Sequence, residues 1–140
     1  MTRVDFYILP TAEPEHRLGF ISRLVAKALR QRRQILIACD SDESAAGLEH
    51  ALLHEQPESY IPFRRANEPD HQEPVIIAVE QDCGEQHDLL ISLGPQLPDY
   101  FSRFQRLIEV VVQEPQILEQ TRKHWAFFKE RGYPVHHHKL

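Results

Sequence analysis

Apolar and polar positions along this chain repeat in the order strand, helix, strand, helix. Short apolar runs have the length and β-branched content of buried strands at residues 4–9, 35–39, 75–79, 88–93 and 107–112. Helical spacing of apolar residues, with capping and stop signals, predicts helices over residues 14–33, 42–54, 98–106 and 115–131. Strands that alternate with helices need crossover connections. The pattern therefore predicts an α/β fold, a three-layer α/β/α arrangement around a mostly parallel sheet.

Two segments lack such periodicity. Residues 56–74 carry prolines at positions 57, 62, 69 and 74 and are predicted to be an irregular loop. Gly132 and Pro134 end the last helix, so residues 133–140 are predicted to be a flexible tail. The length of 140 residues predicts one domain over 1–140, without internal repeats.

The apolar runs at residues 34–39 and 87–93 resemble strands that feed a phosphate site. Such a site needs a glycine-rich turn, and often a lysine, after the strand. Neither run is followed by that pattern, and the glycines of the chain form no phosphate-binding motif. One enzymatic alternative stays open, a small nucleotide or phosphoester enzyme that uses the acids after the second strand, Asp40, Asp42 and Glu43.

Charge and cysteine content narrow the function classes. A net charge of -5 argues against direct binding of nucleic acid, because nonspecific affinity comes from clustered basic residues. Cys39 and Cys83 are far apart and lack a CxxC pattern, so neither a metal site nor a redox motif is predicted. No cofactor is expected, and without an apolar run of membrane length the expected location is the cytoplasm.

Consecutive histidines at positions 136, 137 and 138 lie near the end of the chain. Consecutive side chains diverge on a structured backbone, so the run predicts at most adventitious metal binding. A vestige of a purification tag is the other explanation, and whether His136, His137 and His138 are native stays open. We therefore predict no physiological metal site.

The last helix carries two neighbouring stripes at helical spacing. One stripe forms a natural core face, made of Ile117, Thr121, His124 and Phe128. The other mixes cations with an aromatic residue, in Leu118, Arg122, Trp125 and Lys129. Cations beside an aromatic wall suit an acidic peptide with an apolar end. The alternative is that Trp125 covers the core and the cations are only solvated.

Motifs in order along nearly the whole chain resemble the chi subunit family of bacterial DNA polymerase III holoenzyme. They are found at residues 6–9, 36–39 with Asp40 and Glu43, 57–62, 88–93, 109–111, and Arg122 with Trp125 before Gly132 and Tyr133. The resemblance implies a noncatalytic α/β/α subunit of a DNA-directed DNA polymerase holoenzyme, similar to nucleotide-binding folds but without their phosphate loop.

The resemblance also implies two protein partners, the psi subunit of the clamp loader and the acidic carboxyl-terminal tail of single-stranded DNA-binding protein. DNA would be contacted only indirectly. By position, Arg122 and Trp125 match the basic and aromatic residues of the tail pocket. This chain has Ala126 where the family commonly has a lysine, and Lys123 or Lys129 could replace it.

Tyr60 matches an aromatic residue that the family uses toward psi. Its place in the proline-rich segment makes an exposed anchor reasonable. The alternative is an aromatic ring folded back onto the core.

Overall fold

A seven-stranded, all-parallel β-sheet forms the middle layer of the fold in this computed structural model, which describes residues 1–56, 58, 60–69, 72–80 and 85–140. The elements in chain order are β1 (Arg3–Ile8), α1 (Pro14–Arg30), β2 (Ile35–Cys39), α2 (Asp42–His54), β3 (Phe63–Arg65), β4 (Val75–Val79), β5 (Leu89–Ser92), a 3₁₀ turn (Phe101–Arg103), β6 (Arg106–Val111), α3 (Pro115–Glu130) and β7 (Val135–Lys139). The strand order is β3-β4-β2-β5-β6-β1-β7. The predicted α/β class is confirmed.

Two apolar cores flank the sheet. Ile35 and Ile37 of β2 point toward the side covered by α1 and α2, whereas Leu36 points toward the side covered by α3 and its Phe128. Every residue of β2 is buried, as expected for a central parallel strand covered on both faces. The three-layer α/β/α arrangement follows from this alternation.

Local sequence signals fix the ends of the helices. The Ser41 hydroxyl accepts a hydrogen bond from the Ser44 amide at 3.0 Å and caps α2. At the end of α3, Gly132 adopts a φ of 77° and the Tyr133 amide donates to the Phe128 carbonyl at 3.0 Å. The Tyr133 and Phe128 rings also meet, with centroids 5.6 Å apart. This glycine-centred cap turns the chain from α3 into β7.

The predicted loop over residues 56–74 and the predicted helix over residues 98–106 both differ from the structure. The loop contains β3, which pairs with β4 from Phe63 opposite Val75 to Arg65 opposite Ile77. A strand this short gives no readable alternation, and only its pairing defines it. The helix is reduced to the 3₁₀ turn, Phe101–Arg103, which follows Pro98.

The prediction of a flexible tail over residues 133–140 is wrong. The segment contains β7, which pairs in parallel with β1 from Val4 opposite Val135 to Ile8 opposite Lys139. The His137 ring stacks on Phe6 and the His138 ring stacks on Tyr7, with centroids 5.5 and 4.4 Å apart. Aromatic packing on both faces therefore holds a run of histidines in the sheet.

A buried carboxylate further ties β7 to the sheet. Asp5 is fully buried and accepts hydrogen bonds from Arg106 Nε at 2.8 Å, His138 Nε2 at 2.7 Å and Arg3 Nε at 3.1 Å. Burial favours the protonated acid, but these three donors outweigh it and hold the pKa of Asp5 below its usual range. One carboxylate thus joins β1, β6 and β7.

Candidate protein-binding surfaces

The outer face of α3 presents Arg122, Trp125 and Lys129 to solvent. Trp125 is 40% exposed, and Lys129 Nζ lies 5.8 Å from the centroid of its indole ring. Arg122 takes part in no ion pair or hydrogen bond with any residue that the structure describes. An exposed indole flanked by two cations provides apolar area and anion-binding groups on the same face.

Strand β7 adds His137 to this face. The sequence pattern did not predict His137 at this position. The His137 and Trp125 rings lie with centroids 6.1 Å apart, and His137 is itself held by its stack on Phe6. The tail surface is therefore defined here as Arg122, Trp125, Lys129 and His137. The alternation of side chains along a strand would have placed His137 on the same face as Val135, had residues 135–139 been predicted as a strand.

Lys123 lies on the other flank of α3. It lines a groove of about 600 Å³ between α3 and residues 95–99, together with Gln120 and Phe127. Its Nζ also lies 3.6 Å from a carboxylate oxygen of Glu119. Of the two candidates to replace the lysine missing at Ala126, only Lys129 contacts the Trp125 ring.

His124 anchors the inner face of α3, as its place in the core stripe predicted. Its Nδ1 lies 2.9 Å from both carboxylate oxygens of Glu109 on β6, and its Nε2 lies 3.0 Å from the Pro95 carbonyl. Both ring nitrogens face acceptors, which suits the imidazolium. Burial disfavours the charge, but the hydrogen bond to Glu109 and its negative charge outweigh burial and raise the pKa of His124.

Tyr60 lies directly before a buried residue, Ile61, and leads into β3. Its side chain is 87% exposed, whereas Ile61 is 4% exposed. The ring therefore projects from the core, and the alternative of an aromatic folded inward is not what the structure contains. Pro57 and Ser59, from the motif around Tyr60, lie outside the described residues.

The two candidate surfaces lie at opposite edges of the sheet. Tyr60 precedes β3, the first strand in the spatial order, and the tail surface includes His137 of β7, the last. Neighbouring strands are about 4.8 Å apart, so six spacings separate the edges by roughly 29 Å. The two candidate surfaces therefore share no residue and no edge of the sheet.

The three acids of the alternative enzyme hypothesis have different surroundings. Asp40 lines a crevice at the carboxyl end of β2. Asp42 instead lies 3.4 Å from Arg65 Nη1, and Glu43 is an exposed residue in the first turn of α2. Asp42 and Glu43 lie in the first turn of α2, where negative charge is favourable because it complements the helix dipole.

The described ranges of the chain leave out His71 and Cys83. Within those ranges, no group of three or more His, Cys, Asp or Glu side chains is placed to hold a metal ion. None of the helices there is long and apolar enough to cross a membrane.

Comparisons with known proteins agree in one family. Residues 1–136 match the family model described as DNA polymerase III chi subunit, HolC. The chain is 38% identical over 140 residues to DNA polymerase III subunit chi of Pseudomonas aeruginosa, covering 100% of this chain and 98% of that protein. It is 27% identical over 139 residues to the Escherichia coli protein of that name, covering 95% of each.

Among solved structures, the chain is similar to Mss116p DEAD-box helicase domain 2 bound to an RNA duplex. The TM-score is 0.66 at 9% identity, with 98% of this chain covered. The match spans 63% of the helicase chain, less than two thirds of its length. At that identity the likeness concerns the fold alone. The family match over residues 1–136 and the relatives establish that the chain belongs to the DNA polymerase III chi subunit family.

Proposed function

We propose that this protein is a noncatalytic adaptor of the replicative polymerase, which joins the clamp loader, through psi, to single-stranded DNA-binding protein. The observation that carries this proposal is the placement of two exposed aromatic residues, Tyr60 and Trp125, at opposite edges of one sheet. A bridge between two proteins needs two surfaces that do not compete, and this arrangement supplies them.

The tail surface suits an acidic, apolar-ended chain terminus. Arg122 and Lys129 are exposed cations on either side of Trp125 and can take carboxylates. The half-exposed indole offers a wall for an apolar side chain, and His137 packs behind it. Because these contacts are partly open to water, binding should be modest and should weaken with salt.

Tyr60 is the proposed anchor toward psi. An aromatic side chain that is 87% exposed leaves most of its apolar area available for a partner. The buried Ile61 next to it fixes the backbone from which the ring projects. Rigid aromatic anchors of this type commonly dominate an interface.

Partner capture from the source cell tests the bridge. We expect the tagged parent protein to retain both psi and single-stranded DNA-binding protein, each identified by mass spectrometry. Tyr60→Ala should lose psi and keep single-stranded DNA-binding protein, whereas Trp125→Ala should do the reverse. If both variants lose both partners, or neither loses any, the two surfaces are not independent binding sites.

A matched control separates local effects from unfolding. Leu53, on α2, is another exposed large apolar residue, 59% exposed. Leu53→Ala removes exposed apolar area at a position that belongs to neither proposed surface, so it should retain both partners. Circular dichroism of all variants checks that the fold is intact.

A further inference from the structure

A crevice of about 870 Å³ opens at the carboxyl ends of β2 and β5. Chain connections leave these neighbouring strands in opposite directions, since β2 leads through α2 to β3 and β5 leads to β6. Such a switch point in a parallel sheet is where α/β folds commonly hold ligands. Its volume is also in the range of small-molecule sites. The crevice is separate from the tail surface and from Tyr60.

The floor of this crevice contains an unpartnered hydroxyl. Ser92, the last residue of β5, is 1% exposed and lines the crevice. Its Oγ is buried and has no hydrogen-bond partner within the described part of the chain. A buried polar atom without a partner costs free energy unless a ligand or water satisfies it. Ser92 therefore marks a position where a bound group would be stabilised.

The surrounding charges define which group fits. Asp40, Glu80 and Asp99 line the crevice, and the other described lining residues carry no basic side chain. Ala38, Leu97 and Tyr100 supply apolar wall. Arg17 interacts electrostatically with Asp40 but does not line the crevice, and its Nε donates to the Val110 carbonyl. Three lining carboxylates therefore leave a negative balance that attracts an ammonium or guanidinium group more than a phosphate. A ligand whose cation is attached to an apolar stem can also pack that stem against these apolar walls.

Strand geometry puts one carboxylate within reach of the hydroxyl. Ser92 lies opposite Ala38 in the β2 to β5 register, and Asp40 follows two residues later. Asp40 directly follows the end of β2, about 7 Å along the chain from Ala38, and neighbouring strands are about 4.8 Å apart, so the Cα atoms of Ser92 and Asp40 are separated by roughly 9 Å. A cation between the two side chains can contact both. Gly94 keeps the walls close, because a Cβ added there would lie 3.2 Å from Asp40 Cβ.

We infer that this crevice binds an ammonium or guanidinium group on an apolar stem, with Ser92 Oγ accepting a hydrogen bond and Asp40 balancing the charge. The same chemistry is offered by a small organic amine and by a lysine or arginine side chain of another protein. The inference does not depend on the proposed adaptor function.

Titration of the isotope-labelled protein, followed by amide NMR shifts, tests this inference. The probes are n-butylamine, charged at pH 7, and 1-butanol, its neutral isostere. A second pair of probes consists of a tripeptide with a central lysine, acetylated and amidated at its ends, and the same peptide with norleucine, which lacks the ammonium group. We expect saturable shifts of the Ser92, Gly94 and Asp40 amides with the two charged probes, and at least tenfold weaker binding of the neutral ones.

Two variants and a control complete the test. Ser92→Ala and Asp40→Asn should each weaken n-butylamine binding about tenfold. Asp42→Asn makes the same charge change at a carboxylate that does not line the crevice, and it should bind like the parent. Tighter binding of the lysine peptide than of n-butylamine assigns the site to a polypeptide, and equal or weaker binding assigns it to a small amine. Charged probes that bind no better than neutral ones, or variants that bind like the parent, overturn the inference.

Discussion

The indole of Trp125 on α3 and the imidazole of His137 on β7 meet with their centroids 6.1 Å apart. This contact makes the last strand part of the surface that we propose for the acidic tail, because His137 supports the face from which Trp125 projects. Phe6 in turn supports His137 from β1. The position of the indole therefore depends on β7 being docked in the sheet.

We expect His137→Ala to weaken binding of an acidic tail peptide. Loss of an aromatic partner costs about 0.5–1.5 kcal/mol, which corresponds to roughly two- to twelvefold in affinity. Calorimetric titration measures the change. His136→Ala is the control, since this exposed neighbour makes no ring contact within the described ranges. Equal affinities of the two variants would remove His137 from the tail surface.

The pair of His124 and Glu109 should make stability depend on pH. Burial acts against the charged imidazole, but the carboxylate raises the pKa of His124 in the folded protein. Its contribution is fully present below the unfolded pKa of about 6.5 and is lost as pH rises through the higher folded value. Thermal unfolding from pH 6 to pH 9 should show the advantage of the parent over His124→Gln shrinking with rising pH. An advantage that is constant across this range would contradict the assignment.

Asp5→Asn should destabilise the protein strongly. The substitution removes the buried charge that Arg106 and His138 face. Breaking a fully buried ion pair costs about 3–5 kcal/mol, and the partial exposure of Arg106 and His138 reduces this to about 2–4 kcal/mol. Urea unfolding at pH 7 measures the loss. Asp99→Asn, at an exposed carboxylate, is the control, and a loss no greater than the control's would mean that Asp5 is not the centre of the network.

Two residues with left-handed backbone conformation, one after α1 and one after α3, allow a matched pair of substitutions that tests their conformational cost. Arg32 has a φ of 59° and Gly132 a φ of 77°, and each directly follows a helix-capping residue. Arg32→Gly should stabilise the fold by about 0.5–1 kcal/mol, whereas Gly132→Ala should destabilise it by about 1 kcal/mol. A Cβ at Gly132 meets nothing within 4 Å, so its cost is conformational. Urea midpoints that move in the same direction for both variants would contradict this explanation.

The elements that the sequence predicted best are those with strong local signals. Predicted and observed bounds coincide for β2, with its continuous apolar run, and for α2, with its Ser41 cap. Strand β7 was missed because its stability comes from stacking on Phe6 and Tyr7, which lie more than a hundred residues away in the sequence.

The candidate site was predictable to a similar degree. Helical spacing alone placed Arg122, Trp125 and Lys129 on one face of α3. It could not find His137, whose neighbourhood depends on the pairing of β7 with β1. It also put His124 in the core without naming Glu109, because a partner on another strand is set only by tertiary packing.

Calorimetric titration with the acidic carboxyl-terminal peptide of single-stranded DNA-binding protein tests the adaptor function most directly. Arg122→Ala and Trp125→Ala are compared with Arg30→Ala, which removes an exposed cation from α1 on the opposite face of the sheet. We predict modest, salt-sensitive binding by the parent and by Arg30→Ala, and a loss of at least tenfold in each of the other two variants. Binding of Arg122→Ala and Trp125→Ala with the affinity of the parent would contradict the proposed site.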